Sequence, residues 1–262
     1  MNLHPKLNFL GPEQINEVHR YSVRILEDTG IKVESKTARE IFAKSDGARI
    51  EGDVVYIHDE LIDHSINLAP SNIEVFNQSG ESAFQLGKKQ GKETHFGVGV
   101  TNTWFQDIVS AEVKPFTRKH MQHSSKLGDI LDNFAMVSTL GIPSDAPVEK
   151  LDLYSTLDMY TNTSKPLILL ISGDNRIYDV FDLLQSLHGD ISEKPFCIPY
   201  VNPITPLVLN EATTDKMIAS ISYDLPYLYS NYSMYGGTSP ISEGGSLALL
   251  NAELLAGLVF AC

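Results

Sequence analysis

From Thr94 onward the chain repeats one pattern, a short apolar run followed by an amphipathic one, and this alternation narrows its fold more than any other feature. Residues 94–101 read as a strand and 117–131 as a helix. The pair recurs at 134–140 and 148–160, at 166–171 and 176–187, and at 196–201 and 211–222. Residues 227–234 form a fifth strand, and a long apolar helix runs from about 245 to 262. The run 166–171 is apolar throughout, as suits a strand buried on both faces. Repeated βα units imply a parallel sheet, either open and doubly wound or closed into a barrel. Two features favour the barrel. Gly97-Val98-Gly99 lies inside the first strand and lacks the third glycine of a dinucleotide fingerprint. Polar and aromatic residues also recur just after the strands, where barrel enzymes place their chemistry. The expected fold is therefore α/β, a TIM-like (β/α) barrel over residues 91–262, with about five of the eight units that closure requires.

Residues 1–90 have a different texture. Pro12-Glu13 opens a helix carrying Ile15, Val18, Val23, Ile25 and Leu26 and ended by Gly30, and a second helix covers 36–43. Gly47 and Gly52 bracket short strands at 48–50 and 54–57. Asp59 is expected to cap a helix over 60–68 that stops before Pro70. Two more strands follow at 73–76 and 82–85. This is a small α+β unit, joined to the rest by the linker 87–91.

Composition excludes several classes. With 42% apolar and 20% charged residues over 262 positions, the chain is globular rather than disordered. No stretch matches the roughly 20 uninterrupted apolar residues of a membrane span, and no signal peptide is visible. Cys197 and Cys262 form no metal-type or redox pair. A cytoplasmic location is the expectation. A net charge of −13 argues against nucleic acid and anionic membranes, whose phosphates require clustered Lys and Arg. It is compatible with a cationic substrate, and equally with an acidic surface that serves solubility. The apolar helix 246–262 carries no cap, basic last turn or stop signal, so the chain is expected to be one piece of a longer protein.

Chemical signal concentrates in residues 229–245. Gly236-Gly237 allows a sharp turn and close approach of a ligand. Gly244-Gly245 introduces a helix whose free N–H groups can hold an anionic group. A plain glycine-rich loop is the alternative. Aromatic residues crowd the strand ends: Trp104 and Phe105 after the first, Tyr200 in the fourth, and Tyr229, Tyr232 and Tyr235 in the fifth. Aromatic faces can hold a quaternary ammonium by cation–π attraction, although core packing accounts for such residues as readily. His120 and His123 lie one turn apart on a helix that faces outward in a barrel, and no third ligand is near, so no metal is expected. Asp107, Asp145, Asp174 and Glu211 follow predicted strands and could line the barrel mouth or cap helices. There is no Gly-x-Ser-x-Gly elbow and no Walker loop.

The stretch Gly236-Gly237-Thr238-Ser239-Pro240, then Gly245, then Leu247 through Asn251-Ala252-Glu253 to Gly257, resembles the signature of the trimethylamine methyltransferase family. Weaker marks are Asn202-Pro203-Ile204-Thr205-Pro206-Leu207, Lys165-Pro166, Trp104 to Asp107 with Thr117-Arg118, Leu26-Glu27 before Gly30, and Leu68-Ala69-Pro70. The resemblance implies a TIM-like barrel behind a small N-terminal unit. It also implies transfer of a methyl group from a methylated amine to cob(I)alamin on a separate corrinoid protein. Family members acting on trimethylamine carry pyrrolysine late in the chain, and relatives without it demethylate quaternary amines such as glycine betaine. That position lies beyond residue 262.

The reading is a corrinoid-dependent methyltransferase acting on a glycine betaine-like quaternary amine, with cobalamin as methyl acceptor and no tightly bound cofactor. Trp104, Phe105, Tyr200 and Tyr229 or Tyr235 are expected to form the ammonium cage. Asn202, Asn231 and Thr238 are the polar orienting groups, and Gly236 and Gly237 shape the pocket floor. The expected partners are a small methylated amine and a corrinoid protein, and a homo-oligomer stays open. The competing readings are trimethylamine as substrate, a barrel lyase or hydrolase using the strand-end carboxylates, and an inactive or ligand-binding fragment.

Overall fold

Local chemistry sets most element boundaries in the computed structural model, which describes residues 8–87, 94–172 and 176–262. In chain order the elements begin with α1 (Pro12–Arg24), a π-helical turn (Ile25–Thr29), β1 (Ile31–Val33), α2 (Lys36–Phe42), β2 (Ala48–Glu51) and β3 (Val54–Ile57). Next come α3 (Asp59–Leu68), β4 (Asn72–Phe76), β5 (Ser82–Gly87), β6 (Phe96–Gly97), β7 (Trp104–Gln106), β8 (Val113–Pro115), α4 (Arg118–Ile130) and β9 (Phe134–Ser138). A 3-10 turn (Val148–Lys150) leads into α5 (Leu151–Tyr160), followed by β10 (Leu167–Leu169), α6 (Arg176–His188) and β11 (Cys197–Val201). The last are β12 (Val208–Leu209), α7 (Glu211–Ser222), β13 (Leu228–Tyr229) and α8 (Glu243–Ala261). They group into two compact units. One holds Met1–Ala69, Asn202–Glu211 and Tyr229–Cys262, and the other Pro70–Val201 and Ala212–Leu228.

The second unit carries the βα repeats. Its five-stranded sheet has the order β13-β11-β10-β9-β6, so strands lie side by side in the order in which they occur. β6 with β9, β9 with β10, and β10 with β11 run parallel. A doubly wound sheet reverses its strand order part-way and carries helices on both faces. Here the order never reverses. The alternation along β10 also separates two different faces. Leu167 and Leu169, with Val137 and Cys197, pack against Met121 of α4, Met159 of α5, Val180 and Phe181 of α6 and Ala219 of α7. Ile168 and Ile198 face the other way, onto Val75 and Phe84 of the β4–β5 hairpin. Phe76 N–H donates to Pro195 O (3.0 Å) and Gln78 N–H to Ser164 O (2.8 Å), which fixes this hairpin at the amino ends of β11 and β10. The carboxyl ends are left to loops. The chain is thus mixed α/β with a parallel sheet of partial β/α-barrel type.

In the first unit β12 pairs parallel to β1, which pairs antiparallel with β3, and β3 with β2. Lys32 N–H donates to Leu207 O (2.9 Å), so the loop after β11 supplies an edge strand to residues near the N-terminus. α8 is apolar all round and packs on α1, α2 and α3. By length and composition it could cross a membrane, but just over half of it is buried within the fold, as in a core helix. Leu255, Val259 and Phe260 are buried, each contributing roughly 1.5–3 kcal/mol. Phe260 meets Phe42 at 5.3 Å between ring centroids. Ser22 Oγ donates to Ala248 O (2.9 Å) and Asn251 Nδ2 donates to Ser22 Oγ (2.9 Å), tying α8 to α1 by hydrogen bonds.

Three local expectations change. The strand expected over 94–101 is short, β6 alone, with an irregular register against β9 at Phe96–Gly97 and a left-handed backbone at Thr101 (φ +57°). The loop after it contains an antiparallel hairpin, β7–β8. Asp59 does not cap α3: His58 is the N-cap, and Asp59 N–H donates to Glu27 Oε1 (3.2 Å).

Candidate functional site

The expected site residues fall into groups that are held in different ways. Trp104 and Phe105 lie on β7, paired across the hairpin with Pro115 and Lys114. Trp104 is 62% exposed. Phe105 points inward and stacks on His120, with ring centroids 4.0 Å apart and 14° between planes. His120 is held by α4's own start, its Nδ1 accepting from Thr117 N–H (3.0 Å). Burial, with His123 beside it, lowers the His120 pKa below the usual imidazole range. Tyr200 of β11 is half-buried and packs with the inner cluster of Ile168, Ile198, Val75 and Phe84.

A second group is joined by one buried carboxylate. Glu253, on α8, is 0% exposed. It accepts from Leu207 N–H (2.6 Å), Thr205 Oγ1 (2.9 Å) and Asn231 Nδ2 (2.7 Å). Asn231 Nδ2 also donates to Leu250 O (2.9 Å), and Tyr229 OH donates to Glu253 O (3.2 Å). Asn202 Nδ2 donates to Ser230 O (2.9 Å) in the same strand-end segment. Tyr229 packs against Gly257, where a Cβ would come within 2.4 Å of the ring. Two expected residues, Tyr229 and Asn231, are therefore organised around a helix residue that the sequence presented only as part of a family signature. A Glu in the middle of an apolar helix was the signal. A charge at such a position is buried only where donors meet it.

The glycine turn forms a third group. Gly236 has φ +70°, a conformation that glycine adopts without strain. Gly236 N–H donates to Ser239 O (2.9 Å), Gly237 N–H to Met234 O (2.9 Å) and Met234 N–H to Thr238 Oγ1 (3.0 Å). Tyr235 is 60% exposed. Ser239 and Ser246 share a hydrogen bond (2.6 Å) that docks the turn on α8. An open cleft of about 620 Å³ runs between α1 and the start of α8, lined by Val18, Tyr21, Arg24, Pro240, Gly244 and Gly245 among others; it takes in the glycine pair that starts α8 but none of the expected ammonium-cage or polar orienting residues.

The carboxylates that follow strands are engaged in local structure. Asp107 accepts from Val109 N–H (2.9 Å) and Ser110 N–H (2.8 Å), closing the β7–β8 turn, and these bonds lower its pKa. Asp145 accepts from Arg118 N–H (2.9 Å) at the start of α4. Glu211 opens α7, and Asp174 lies outside the described residues. The Cys197 thiol is wholly buried on β11, and burial pushes its pKa up to about 12. His19, Asp59 and Asp63 bring ligand-type atoms within 4.8 Å of one another, with both carboxylates exposed.

Comparison with known proteins follows the same lines. A family model for trimethylamine methyltransferase (MTTB) matches residues 1–262. The chain is 27% identical over 261 residues to a glycine betaine methyltransferase of Desulfitobacterium hafniense, covering 98% of this chain and 53% of that protein. It is 26% identical over 252 residues to a trimethylamine methyltransferase MttB of Desulfitobacterium hafniense, covering 94% and 50%. A trimethylamine methyltransferase MttB of Methanosarcina barkeri is 27% identical over 266 residues, covering 98% and 53%. The chain spans about half the length of the curated relatives it matches.

Proposed function

Because this chain belongs to the trimethylamine methyltransferase family, we propose that it acts in the transfer of a methyl group from a quaternary amine of the glycine betaine class to cob(I)alamin on a partner corrinoid protein. The match over the whole chain carries this reading. Trimethylamine is the second substrate reading, since relatives of both names match at nearly equal identity. The five-stranded sheet is taken as part of a TIM-like barrel, residues 91–262, with residues 1–90 as its small α+β companion. A cytoplasmic location belongs to the same reading.

The reduced corrinoid, when bound, supplies the nucleophile that accepts the methyl group. The chain's own residues then have a limited task. A quaternary amine leaves as a neutral tertiary amine, so no side chain has to deliver a proton. This agrees with strand-end carboxylates already committed to Val109, Ser110 and Arg118. What the chain contributes is orientation and exclusion of water. Aromatic faces from Trp104, Phe105, Tyr200 and Tyr229 or Tyr235 would hold the ammonium, each desolvated contact contributing about 1–2 kcal/mol. Asn202, Asn231 and Thr238 would orient the remainder over Gly236 and Gly237.

The test is to incubate the chain with cob(I)alamin and a panel of methylated amines and follow the corrinoid absorbance. Methylcobalamin formed with glycine betaine is the expected result. Formation with trimethylamine alone selects the second reading, and no methylation with any amine overturns both. Trp104→Ala should weaken glycine betaine binding about tenfold; unchanged affinity removes Trp104 from the cage.

A further inference from the structure

We propose that Glu253 is the positioning residue and counter-charge that makes this site prefer a ligand with a permanently cationic head group over one with a neutral head group of the same shape. The inference rests on the methylated-amine reading and adds a specific residue to it. Glu253 is wholly buried, and each of its three hydrogen bonds comes from a neutral donor: Leu207 N–H, Thr205 Oγ1 and Asn231 Nδ2. The ion pairs found among the described residues do not include it. Neutral donors satisfy a carboxylate's lone pairs but leave its charge unbalanced, and in a low-dielectric interior that charge acts over a longer range than in water.

The connection to the site is direct. Asn231 is bonded to the carboxylate itself, and Tyr229 reaches the Glu253 backbone carbonyl (3.2 Å). A quaternary ammonium seated against Tyr229 and Asn231 would lie one side chain from the negative charge. Such a cation cannot donate a hydrogen bond, so a carboxylate held behind an amide wall attracts it without requiring contact. The same carboxylate fixes the Asn231 amide through one of its N–H groups, which sets the direction of the amide oxygen.

The experiment compares two ligands that differ in charge and hardly in shape. Calorimetry on the full chain measures the affinity of glycine betaine and of tert-butylacetate, in which carbon replaces the ammonium nitrogen. The wild-type chain is expected to prefer glycine betaine. Glu253→Gln should weaken glycine betaine about tenfold or more and leave tert-butylacetate within about twofold. Glu253→Asp, which keeps the charge, should retain the preference. Equal weakening of both ligands in Glu253→Gln assigns the residue a purely structural role and overturns the proposal, as does no weakening of either. If Glu253→Gln does not fold by circular dichroism, Asn231→Lys, which brings an ammonium to the carboxylate, should abolish the preference; a retained preference overturns the proposal. A wild-type chain that binds both ligands equally overturns the proposal and leaves the methylated-amine reading to the corrinoid assay, whereas one that binds neither overturns the proposal together with the glycine betaine reading.

Discussion

Asp158 and Glu253 are both buried carboxylates on helices, one in each compact unit, and they are satisfied in opposite ways. Asp158 of α5 receives a bidentate grip from Arg118, Nε to Oδ2 at 2.7 Å and Nη2 to Oδ1 at 2.9 Å, plus Gln122 Nε2 at 2.8 Å. The guanidinium lies over the Tyr154 ring, 4.2 Å from its centroid. Its charge is cancelled within hydrogen-bond distance, so the pair joins α4 to α5 and projects little field. Glu253 is met instead by neutral donors, Leu207 N–H, Thr205 Oγ1 and Asn231 Nδ2. A neutralised buried charge is a structural fastening, whereas an unneutralised one remains available to a ligand.

The largest effect that would test this contrast comes from Asp158→Ala. It leaves Arg118 partly buried without its partner and should cost about 3–5 kcal/mol, read by chemical denaturation. A loss below about 1 kcal/mol would show that the pair is a surface-like bridge and weaken the comparison. Gly257→Ala places a methyl 2.4 Å from Tyr229 Cε1. It should cost about 1–3 kcal/mol in thermal denaturation and also displace the Tyr229 ring. Glu253→Gln turns an acceptor into a donor facing other donors, and should cost about 1–2 kcal/mol. If it costs as much as Asp158→Ala, the two carboxylates are equivalent fastenings.

The smallest effect belongs to Asp129, which accepts from Thr163 Oγ1 (2.7 Å) and Ser164 N–H (2.8 Å). Desolvation raises its pKa, but the Ser164 and Thr163 bonds outweigh this and hold it below the ordinary carboxylate value. A depressed folded pKa contributes stability above the unfolded value of about 3.9 and loses it as pH falls through the folded value. Asp129→Asn should flatten that acid limb of the stability profile, with a loss under about 1 kcal/mol at neutral pH. An unchanged acid limb would show that the Asp129 hydrogen bonds carry no pH dependence.

The helices of the βα repeat were legible because apolar spacing and boundary residues agree. α6 and α7 begin at the expected positions, and α4 starts after its Thr117 cap. Strand ends were less so. Residues 227–234 read as one strand, but only Leu228–Tyr229 pairs, because Asn231 is drawn to α8 by its side chain. β1 and β12 went unseen. Each is two or three residues long and becomes a strand only by pairing with a segment far away in sequence. Of the site, the residue types and the Gly236-Gly237 turn were readable. The carboxylate that joins Asn202's neighbours, Tyr229 and Asn231 was not, because a helical period cannot show which donors will meet a buried charge.

What the sequence determined by itself was the βα alternation, the glycine turn and the family signature in α8. Each depends on residues within about two turns or one strand of one another, where spacing and backbone preference act locally. Only the tertiary structure decided that residues 202–211 complete a sheet begun at Ile31, and that Glu253 lies under Thr205, Leu207 and Asn231. Those outcomes depend on loop closure and on how buried polar groups find partners, and such partners are chosen by proximity in space.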